Sequence, residues 1–519
     1  MKKISYLFFS LFALVAGFAL ISCGGDDDDN PTPPAPALTI SPSSMSFTYD
    51  GGSQEVTVNA ADPFVRSEAA WISVSKKSST SSSSVYTITC QENTTTDERK
   101  GSVLFNHNNG TPVRLNITQA GKSVTPPTPE PDPDQPQTFR SAKEIAKDMY
   151  PGINLGNTLE AGDNAKNWTN EGGLGYETFW QKTKTTQEII NYYKQQGFKS
   201  VRIPVAWVMG HITDKAKLTI DKQWMARVKE IVDYCIKADM YAIINDHWDG
   251  GWLENNISPY SEARAEQLKT LWTNLANEFQ GYGDHLLFAG LNEPNADTQQ
   301  KCNDLVKYEQ DFIDAVRATG GNNAKRVLVV QGPNTDIDNT SKYYTAMPND
   351  PTPNALMMEV HFYPYQFCLM EEDASWGKRI FFWGAENHVS GTYAAYNGNS
   401  SNEESFVLAQ FQKMKKQFVD KGYPVVLGEY GVLWRNLKSA SPSITDEDCQ
   451  TKHNNSVKLF HKIVNEYAIN NGIIPFVWDT NGMNPKSSMD IFNRSSLSVY
   501  NPHAMEGIKA GVAAGKWPY

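Results

Sequence analysis

The sequence has little cysteine and little positive charge for its length. Its six cysteines are scattered along 519 residues, and no two of them have the CxxC spacing of zinc or redox motifs. Lys and Arg total 47 against 58 Asp and Glu, which gives a net charge of −11. Because phosphates repel an acidic chain, this balance disfavours nucleic acid as a partner. The rest of the composition, with 40% hydrophobic and 20% charged residues, is that of a globular protein with ample core material.

The N-terminus carries a short apolar run, "YLFFSLFALVAGFAL", behind Lys2 and Lys3. Such a run with a basic start is typical of a secretory signal peptide and is too short for a stable transmembrane anchor. The following "LISCGG" resembles a lipobox, which predicts a signal peptide over residues 1–22 and lipidation of Cys23. The alternative is an ordinary signal peptide with a free cysteine nearby.

Four consecutive aspartates, residues 26–29, follow the lipobox-like segment. An acidic run at this place resembles the signal that sends Gram-negative lipoproteins to the outer face of the outer membrane. We therefore expect an outer-membrane lipoprotein that faces the cell exterior and is attached through the lipid on Cys23. The plainer interpretation of the same run is a solvated tether, and both can hold.

Two Pro-rich stretches divide the chain, an acidic tether over residues 23–37 and a linker over residues 122–139. Between them, residues 38–121 contain short alternating runs with turn residues, which predicts an all-β, immunoglobulin-like sandwich. The runs "WISVS", "NTTTDERKGSVLF" and "LNITQAG" resemble the BACON domain, a module of surface glycan-degrading lipoproteins. That resemblance implies carbohydrate binding or a spacer role. Trp71 is expected to lie in the core of this unit rather than to stack on a sugar.

From residue 140 to residue 519, apolar runs alternate with helical patterns such as "TTQEIINYYKQQ" and "SEARAEQLKTLWTNLANEF". Continuous apolar runs are typical of parallel strands that are covered on both faces. Eight such runs with helices between them predict an α/β fold, a (β/α)8 TIM barrel. A doubly wound open sheet is the alternative, but no GxGxxG motif follows the first strand. The predicted strands are "GINLGN" (152–157), "SVRIPV" (200–205), "YAIINDH" (241–247), "LLFAGLN" (286–292), "RVLVVQG" (326–332), "LMMEVHFY" (356–363), "PVVLGEYG" (424–431) and "IIPFVWD" (473–479).

Several of these strands end in polar residues, and two of the ends carry a glutamate, Glu293 and Glu429. In a barrel of this kind, catalysis takes place at the C-terminal ends of the strands. Glycoside hydrolysis needs two carboxyl groups, one to protonate the leaving oxygen and one to attack the anomeric carbon. We expect Arg202 and Tyr363 to keep Glu429 ionised, and a less solvated Glu293 to keep its proton near neutral pH.

This domain resembles glycoside hydrolase family 5, in the clan of retaining (β/α)8 enzymes. The motifs, in chain order, are "GINLGNTLEAG", "GFKSVRIPVAW", "YAIINDHWDGGW", "FAGLNEPN", "EVHFYPY", "VLGEYGV" and "FVWDTNG". The resemblance implies that Glu293 is the general acid/base and Glu429 the nucleophile. It implies six supporting residues: Asn292 for the sugar 2-hydroxyl, Arg202 and Tyr363 beside the nucleophile, His361 beside the acid, His247 for sugar hydroxyls and Trp478 as the platform beneath the sugar. Trp478 and His247 also have plainer interpretations, as a core residue and as a structural histidine.

The third strand end departs from the family pattern. Many members with broad β-glucan specificity have two adjacent His there, whereas this chain has His247-Trp248, followed closely by Trp252. Trp248 and Trp252 are therefore candidate subsite aromatics. Other residues in loops near the strand ends either touch sugar or only order their loops, namely Asn154, Glu160, Trp376 and Trp383.

The expected activity is that of a retaining endo-β-1,4-glucanase that cleaves cellulose-type or mixed-linkage glucans by double displacement. Flat aromatic platforms suit the faces of β-1,4-glucans. The resemblance implies neither a cofactor nor a metal, and we expect a monomer. Two alternatives stay open within the class, endo-xyloglucanase and β-mannanase. A non-catalytic surface glycan-binding protein is a third, and a purely structural lipoprotein is the poorest.

Overall fold

The computed structural model describes residues 37–95, 97–107, 110–121 and 139–519. They fall into two compact units that divide near residue 128. The predicted signal peptide, the lipidation of Cys23, nearly all of the tether and nearly all of the linker lie outside the described residues. Within the part of the chain that is described, no helix is long and apolar enough to cross a membrane.

The N-terminal unit is a sandwich of two four-stranded sheets. Its strands alternate buried and exposed side chains, and the buried ones, such as Val56, Ile88 and Phe105, fill the space between the sheets. This confirms the predicted all-β class. The strands are Ile40–Ser41, Ser44–Phe47, Gly52–Val58, Phe64–Ser67, Ile72–Ser79, Ser84–Cys90, Arg99–Asn106 and Val113–Gln119.

Trp71 lies at the border of this core and is only partly buried. The guanidinium of Arg99 lies over its ring, 4.3 Å from the ring centroid, which is a cation–π geometry. Because a side chain of the same unit already covers that face, Trp71 offers little of the flat surface that a sugar platform needs.

The C-terminal unit is a closed barrel of eight parallel strands, as predicted. Every residue of these strands is buried except for two near the end of the fifth, because helices cover the outside and side chains fill the inside. The barrel strands are Gly152–Asn154, Ser200–Ile203, Tyr241–Asn245, Leu286–Ala289, Leu328–Asp336, Leu356–Phe362, Val425–Tyr430 and Ile473–Val477.

Helices follow the barrel strands, and several of them begin at side chains that accept hydrogen bonds from the first turn. Asp221 and Asp446 cap two of the helices in this way, and Asn501 caps the last one, which has Pro502 in its first turn. The α-helices are Ala142–Ala146, Gln187–Gln195, Lys222–Lys237, Glu262–Glu278, Gln299–Ala318, Ile337–Tyr343, Tyr365–Cys368, Glu404–Gln417, Glu447–Asn470 and Pro502–Ala514.

The lower part of the barrel interior is apolar and filled. Leu287, Val329 and Phe476 belong to a buried cluster there, and Ile145 of the first helix packs against it. Gly152 makes room for the Phe476 ring, since a Cβ at this position would lie 2.3 Å from it. The polar side chains of the predicted site lie at the opposite end, where the strands terminate.

All five cysteines of the described residues are buried free thiols.

Candidate active site

Arg202 is completely buried at the polar end of the barrel and contacts side chains from four other strand ends. Two of its partners are carboxylates and two are amides, so the guanidinium fixes their relative positions. The distances are 2.9 Å from Nη1 to Glu429 Oε1, 3.0 Å from Nη1 to Asn154 Oδ1, 2.8 Å from Nη2 to Asn292 Oδ1 and 2.9 Å from Nε to Glu359 Oε1.

Glu429 is the more enclosed of the two predicted site carboxyls, with a side chain that is 8% exposed. Its second oxygen accepts a hydrogen bond of 3.2 Å from the Tyr363 hydroxyl. Burial raises the pKa of Glu429 above its ordinary value, and the positive charges of His361 and Arg202 counter part of that rise. The two donors aim at separate oxygens, so the carboxylate is held in one orientation.

Glu293 lies opposite, and its side chain is 44% exposed to the open cleft. His361 Nδ1 lies 2.8 Å from Glu293 Oε1 and 3.7 Å from Glu429 Oε2, so one imidazole edge faces both carboxyls. Burial of the group tends to raise the pKa of Glu293, but the hydrogen bond and charge of His361 outweigh it and lower that pKa.

This arrangement corrects one expectation. Glu293 was expected to be the less solvated carboxyl that keeps its proton, and it is the more exposed of the two. The reason is that its outer side faces the cleft, whereas Glu429 is enclosed by Arg202 and Tyr363. Because the two carboxyls are close and both face His361, protonation of one affects the pKa of the other.

Glu359 is a fully buried carboxylate that sequence reasoning missed. It lies 2.9 Å from Arg202 Nε and 3.4 Å from His361 Nε2, and it accepts a hydrogen bond of 2.7 Å from Gln331 Nε2. Burial works against its charge, but Arg202 and His361 hold the pKa of Glu359 below its usual value. Its signal in the sequence is a single charged residue inside the apolar strand "LMMEVHFY".

The glycine before Glu429 makes room for this carboxylate. A Cβ on Gly428 would lie 1.9 Å from Glu359 Oε1, so any larger residue there would displace Glu359. The "GEYG" motif therefore contains one carboxylate, Glu429, and makes room for a second, Glu359.

His361 is nearly completely buried and is contacted by carboxylates on both ring nitrogens. Burial alone would lower the pKa of His361, but Glu429, Glu293 and Glu359 together raise it to about 10. Carboxylates that face both ring nitrogens favour the protonated, positively charged imidazole.

Asn292 is held between Arg202, which donates to its Oδ1, and Glu254 on the loop after the third strand. Glu254 is 7% exposed and also lies beside the backbone N–H of Glu293. Burial, together with the charge of Glu293, raises the pKa of Glu254 to about 8. Sequence reasoning also missed this residue, which looked like an ordinary loop glutamate.

His247 and Trp478 form the other side of the site. Their rings stack with centroids 5.9 Å apart and planes at 13°. Burial lowers the pKa of His247 well below its usual value, and the charges of Arg202 and His361 lower it further. Trp478 is only partly buried and lines the same cleft as Glu293, Glu429 and Tyr363. All eight residues that the family resemblance implied thus come together at one end of the barrel.

Residues 163–484 match the family model Cellulase (glycosyl hydrolase family 5). The chain belongs to glycoside hydrolase family 5. Residues 61–120 match the BACON domain model. Both findings confirm the resemblances drawn from the sequence motifs.

Family 5 relatives cover most or all of the chain. The xyloglucan-specific endo-beta-1,4-glucanase of Bacteroides ovatus is 29% identical over 98% of this chain and 97% of its own length. Endoglucanase A of Paenibacillus barcinonensis is 32% identical over 72% of this chain and 90% of its own length. A solved GH5 xyloglucan-specific beta-1,4-glucanase from a ruminal metagenomic library, in complex with XXLG, has 46% identity and a TM-score of 0.64, covering 73% of this chain and 98% of that one. The protein is accordingly a glycoside hydrolase of the endoglucanase type.

The two tryptophans of the third strand end differ in their surroundings. Trp252 is 8% exposed, donates its indole N–H to Asp246 and packs edge-on against Trp168, which favours a core role over that of a subsite aromatic. Trp248 is partly exposed and sits at positive φ, with φ 54° and ψ −62°. This backbone region is rare for a bulky residue and belongs to a strained γ-turn.

Asp249 stabilises that turn. Its buried carboxylate accepts backbone hydrogen bonds from three consecutive residues, 207–209, at 2.7–2.8 Å. These hydrogen bonds attach the turn to the loop after the second strand, and the indole of Trp248 stays partly exposed. Of the two candidate aromatics, Trp248 is the one with an accessible ring.

Three of the other four candidate residues order the structure around them. Asn154 donates to the backbone oxygens of Gly428 and Val477, and Glu160 accepts from two backbone N–H groups of its own loop. Trp383 is completely buried, whereas Trp376 is 63% exposed beside Tyr365. For Asn154, Glu160 and Trp383, the structure therefore favours the loop-ordering alternative.

The cleft above Glu293 and Glu429 has a volume of about 460 Å³ and is open to solvent. A second cavity of about 770 Å³ shares Asn484 and Ser487 with it. The two spaces therefore adjoin at these residues.

Glu293, His361 and Glu429 offer one atom each within 4.8 Å of one another, the one such grouping with metal-like spacing among the described residues. Glu293 and Glu359 already contact the two ring nitrogens of His361, and Arg202 already pairs with Glu429, so we interpret the cluster as acid/base machinery.

Proposed function

We propose that the protein is a retaining endo-β-1,4-glucanase with Glu429 as nucleophile and Glu293 as general acid/base. The observation that carries this proposal is the spacing of the two carboxyls, which have oxygens within 4.8 Å of each other. Retaining enzymes place their carboxyl groups about 5–5.5 Å apart, whereas inverting enzymes leave about 6.5–9.5 Å for a water molecule.

The roles follow from the contacts. Glu429 is fixed by Arg202 and Tyr363 on separate oxygens, which suits in-line attack on the anomeric carbon and formation of a glycosyl-enzyme ester. Glu293 faces the open cleft and donates its proton to the leaving oxygen. It then takes a proton from the water that hydrolyses the ester.

Sugar binding gives the two carboxyls the protonation state that catalysis requires. A sugar seated over Trp478 covers the exposed side of Glu293 and removes its water, which raises the pKa of Glu293. Glu429 is already enclosed, so the same event changes its surroundings much less. The proton that the pair shares therefore moves to Glu293 when substrate binds.

We further propose xyloglucan, a β-1,4-glucan branched with xylose, as the preferred substrate. The cavity that adjoins the cleft at Asn484 and Ser487 gives room for side branches. Relatives described as xyloglucan-specific support this choice, including one that is similar over nearly the whole chain.

Unbranched β-1,4-glucan or mixed-linkage glucan is the second candidate. A solved broad-specificity endoglucanase of Ruminococcus champanellensis with bound cellotriose has 27% identity and a TM-score of 0.59 over 72% of this chain. The aromatic ring of Trp478 suits either backbone. The feature that distinguishes the two candidates is therefore the cavity that adjoins the cleft at Asn484 and Ser487.

The test is reducing-sugar release from xyloglucan, mixed-linkage β-glucan, carboxymethyl-cellulose and mannan at matched concentrations. Glu429→Gln is expected to abolish release from all of them. Asn484→Trp places an indole at the junction of the two cavities and is expected to slow xyloglucan hydrolysis more than hydrolysis of unbranched glucan. Ser496→Trp, a bulky change at an exposed turn that lines neither cavity, is the control.

Fastest release from an unbranched glucan would overturn the xyloglucan proposal and leave the catalytic roles standing. Fastest release from mannan would overturn the glucan backbone as well. Binding without release from any substrate would favour a glycan-capture protein instead.

We propose that the enzyme is held at the outer face of the outer membrane through Cys23 and that the sandwich acts as a spacer. The lipobox-like "LISCGG" and the acidic run after it support the first point, and the Arg99-covered ring of Trp71 supports the second. Labelling with radioactive palmitate should mark the wild-type protein and not Cys23→Ala. The isolated sandwich should show no retardation in a xyloglucan affinity gel.

A further inference from the structure

The site contains three buried charged residues besides the two reacting carboxyls. Arg202 and the protonated His361 are cations, and Glu359 touches both of them, at 2.9 Å and 3.4 Å. Glu359 itself is too deep to reach substrate, since its side chain is 1% exposed and lies beneath His361. A buried carboxylate that is not part of the chemistry needs another reason to be there.

The sum of the charges in this cluster gives a reason for the presence of Glu359. Before the first displacement, Glu293 is protonated, while Glu429 and Glu359 are ionised. These two negative charges balance Arg202 and His361, so the net charge is zero.

The net charge of the cluster is still zero after the first displacement. Glu429 becomes a neutral ester, and Glu293 becomes a carboxylate because its proton leaves with the leaving group. Glu293 and Glu359 then balance the same two cations. The net charge of the buried cluster is zero in both halves of the reaction.

Without Glu359, the charges of the cluster do not sum to zero in either half of the reaction. The cluster would carry one uncompensated positive charge, and burying an unpaired charge is costly. The cheapest relief is loss of the His361 proton, because a guanidinium does not deprotonate in proteins. The imidazole would then present a different set of donors to Glu293.

We propose that Glu359 is a positioning residue that keeps His361 protonated beside the acid/base and holds the buried cluster at zero net charge throughout the double displacement. This inference rests on the proposed catalytic roles of Glu293 and Glu429. Glu359 acts through His361 and Arg202 and does not touch the sugar.

Charged groups from every neighbouring strand end face His361. Glu293, Glu359 and Glu429 favour its protonated form. The positive charge of Arg202 opposes that form, and His247, whose own pKa lies well below its usual value, is neutral. Glu359 is the one carboxylate of the three that keeps its charge in both halves of the reaction.

The decisive experiment is nitrogen-15 NMR of the imidazoles in the full-length protein without its signal peptide. His361→Gln assigns the His361 signals by their loss. In the wild type we expect His361 to carry protons on both nitrogens across about pH 5–8, the range where an ordinary histidine titrates. In Glu359→Gln we expect it to titrate within that range and to be neutral at the upper end.

Glu309→Gln is the matched control. Glu309 is also buried and also contacts Gln331, through the backbone N–H at 2.8 Å, but it pairs with Tyr344 instead of Arg202 and His361. It should leave the His361 titration unchanged. Turnover of xyloglucan should fall about tenfold to a hundredfold in Glu359→Gln and stay near wild type per folded molecule in Glu309→Gln.

A neutral His361 in the wild type near neutral pH would overturn the proposal, whether or not any variant folds. An unchanged His361 titration in a folded Glu359→Gln variant would overturn it as well. If the titrations behave as expected but Glu429→Gln still hydrolyses glucan, the proposed catalytic roles fail while the assignment of Glu359 to His361 stands.

Discussion

Replacing Arg202 with Met removes the cation that joins the polar strand ends. The methionine keeps most of the side-chain volume, so the main loss is electrostatic. Two carboxylates, Glu359 and Glu429, each lie 2.9 Å from the guanidinium and would lose this partner. Two amides, Asn154 and Asn292, would lose a donor.

The size of the effect follows from burial. Coulomb's law gives about 6 kcal/mol of attraction for unit charges at this separation with an effective dielectric constant of about 20. The cost of desolvating both groups offsets part of it, and breaking a buried pair by removing one partner typically costs about 3–5 kcal/mol. We expect Arg202→Met to lower the free energy of unfolding of the barrel by at least about 3 kcal/mol at neutral pH.

The loss should depend on pH in a defined direction. The pKa of Glu359 lies below its ordinary value of 4.5 in the folded protein, with Arg202 as a main cause. A lowered folded-state pKa stabilises the protein above the unfolded-state value, and this stabilisation disappears as pH falls through the folded-state pKa. The difference between wild type and Arg202→Met should therefore be full at neutral pH and shrink below about pH 4.

Urea unfolding followed by tryptophan fluorescence at neutral and acid pH measures this difference. Lys458→Met is the control, because Lys458 and Glu506 form a pair whose side chains are 46% and 58% exposed, and such surface pairs contribute about 0–1 kcal/mol. If Arg202→Met costs no more than Lys458→Met, or if its cost persists at acid pH, the electrostatic reasoning is refuted.

Three further predictions concern catalysis. Tyr363→Phe removes the 3.2 Å hydrogen bond to Glu429 and should lower kcat/KM for xyloglucan about tenfold, because bonds to charged groups contribute about 1.5–3 kcal/mol and this one is long. Trp478→Ala should raise KM and lower kcat together, and unchanged kinetics would show that its ring does not lie under the sugar. The basic limb of the kcat profile should lie at higher pH than that of kcat/KM, since bound sugar raises the pKa of Glu293, and coincident limbs would contradict that step.

The barrel and the membership of the site could be predicted from the sequence because topology fixes where strand ends go. Eight apolar runs close into a barrel, and residues at the end of each run then meet at one rim. Glu293 and Glu429, more than a hundred residues apart in sequence, are brought together in this way. No knowledge of the side-chain packing is needed for that step.

Properties that depend on several loops at once could not be predicted. Trp252 looked like a surface aromatic, but its burial depends on Trp168 from another loop. The exposure of Glu293 depends on which neighbouring loops leave the cleft open. Glu359 looked like a chance polar residue in an apolar strand, and its role becomes visible only when Arg202, His361 and Gln331 surround it.

The most direct test of the account is to trap the covalent intermediate. The protein is incubated with an activated 2-deoxy-2-fluoro-β-cellobioside, and the adduct is located by peptide mass spectrometry. We predict one sugar per molecule, in ester linkage to Glu429, with Glu293 unmodified. An adduct on Glu293, or rapid hydrolysis with inverted anomeric configuration and no adduct, would contradict the central claim that Glu429 is the nucleophile of a retaining glucanase.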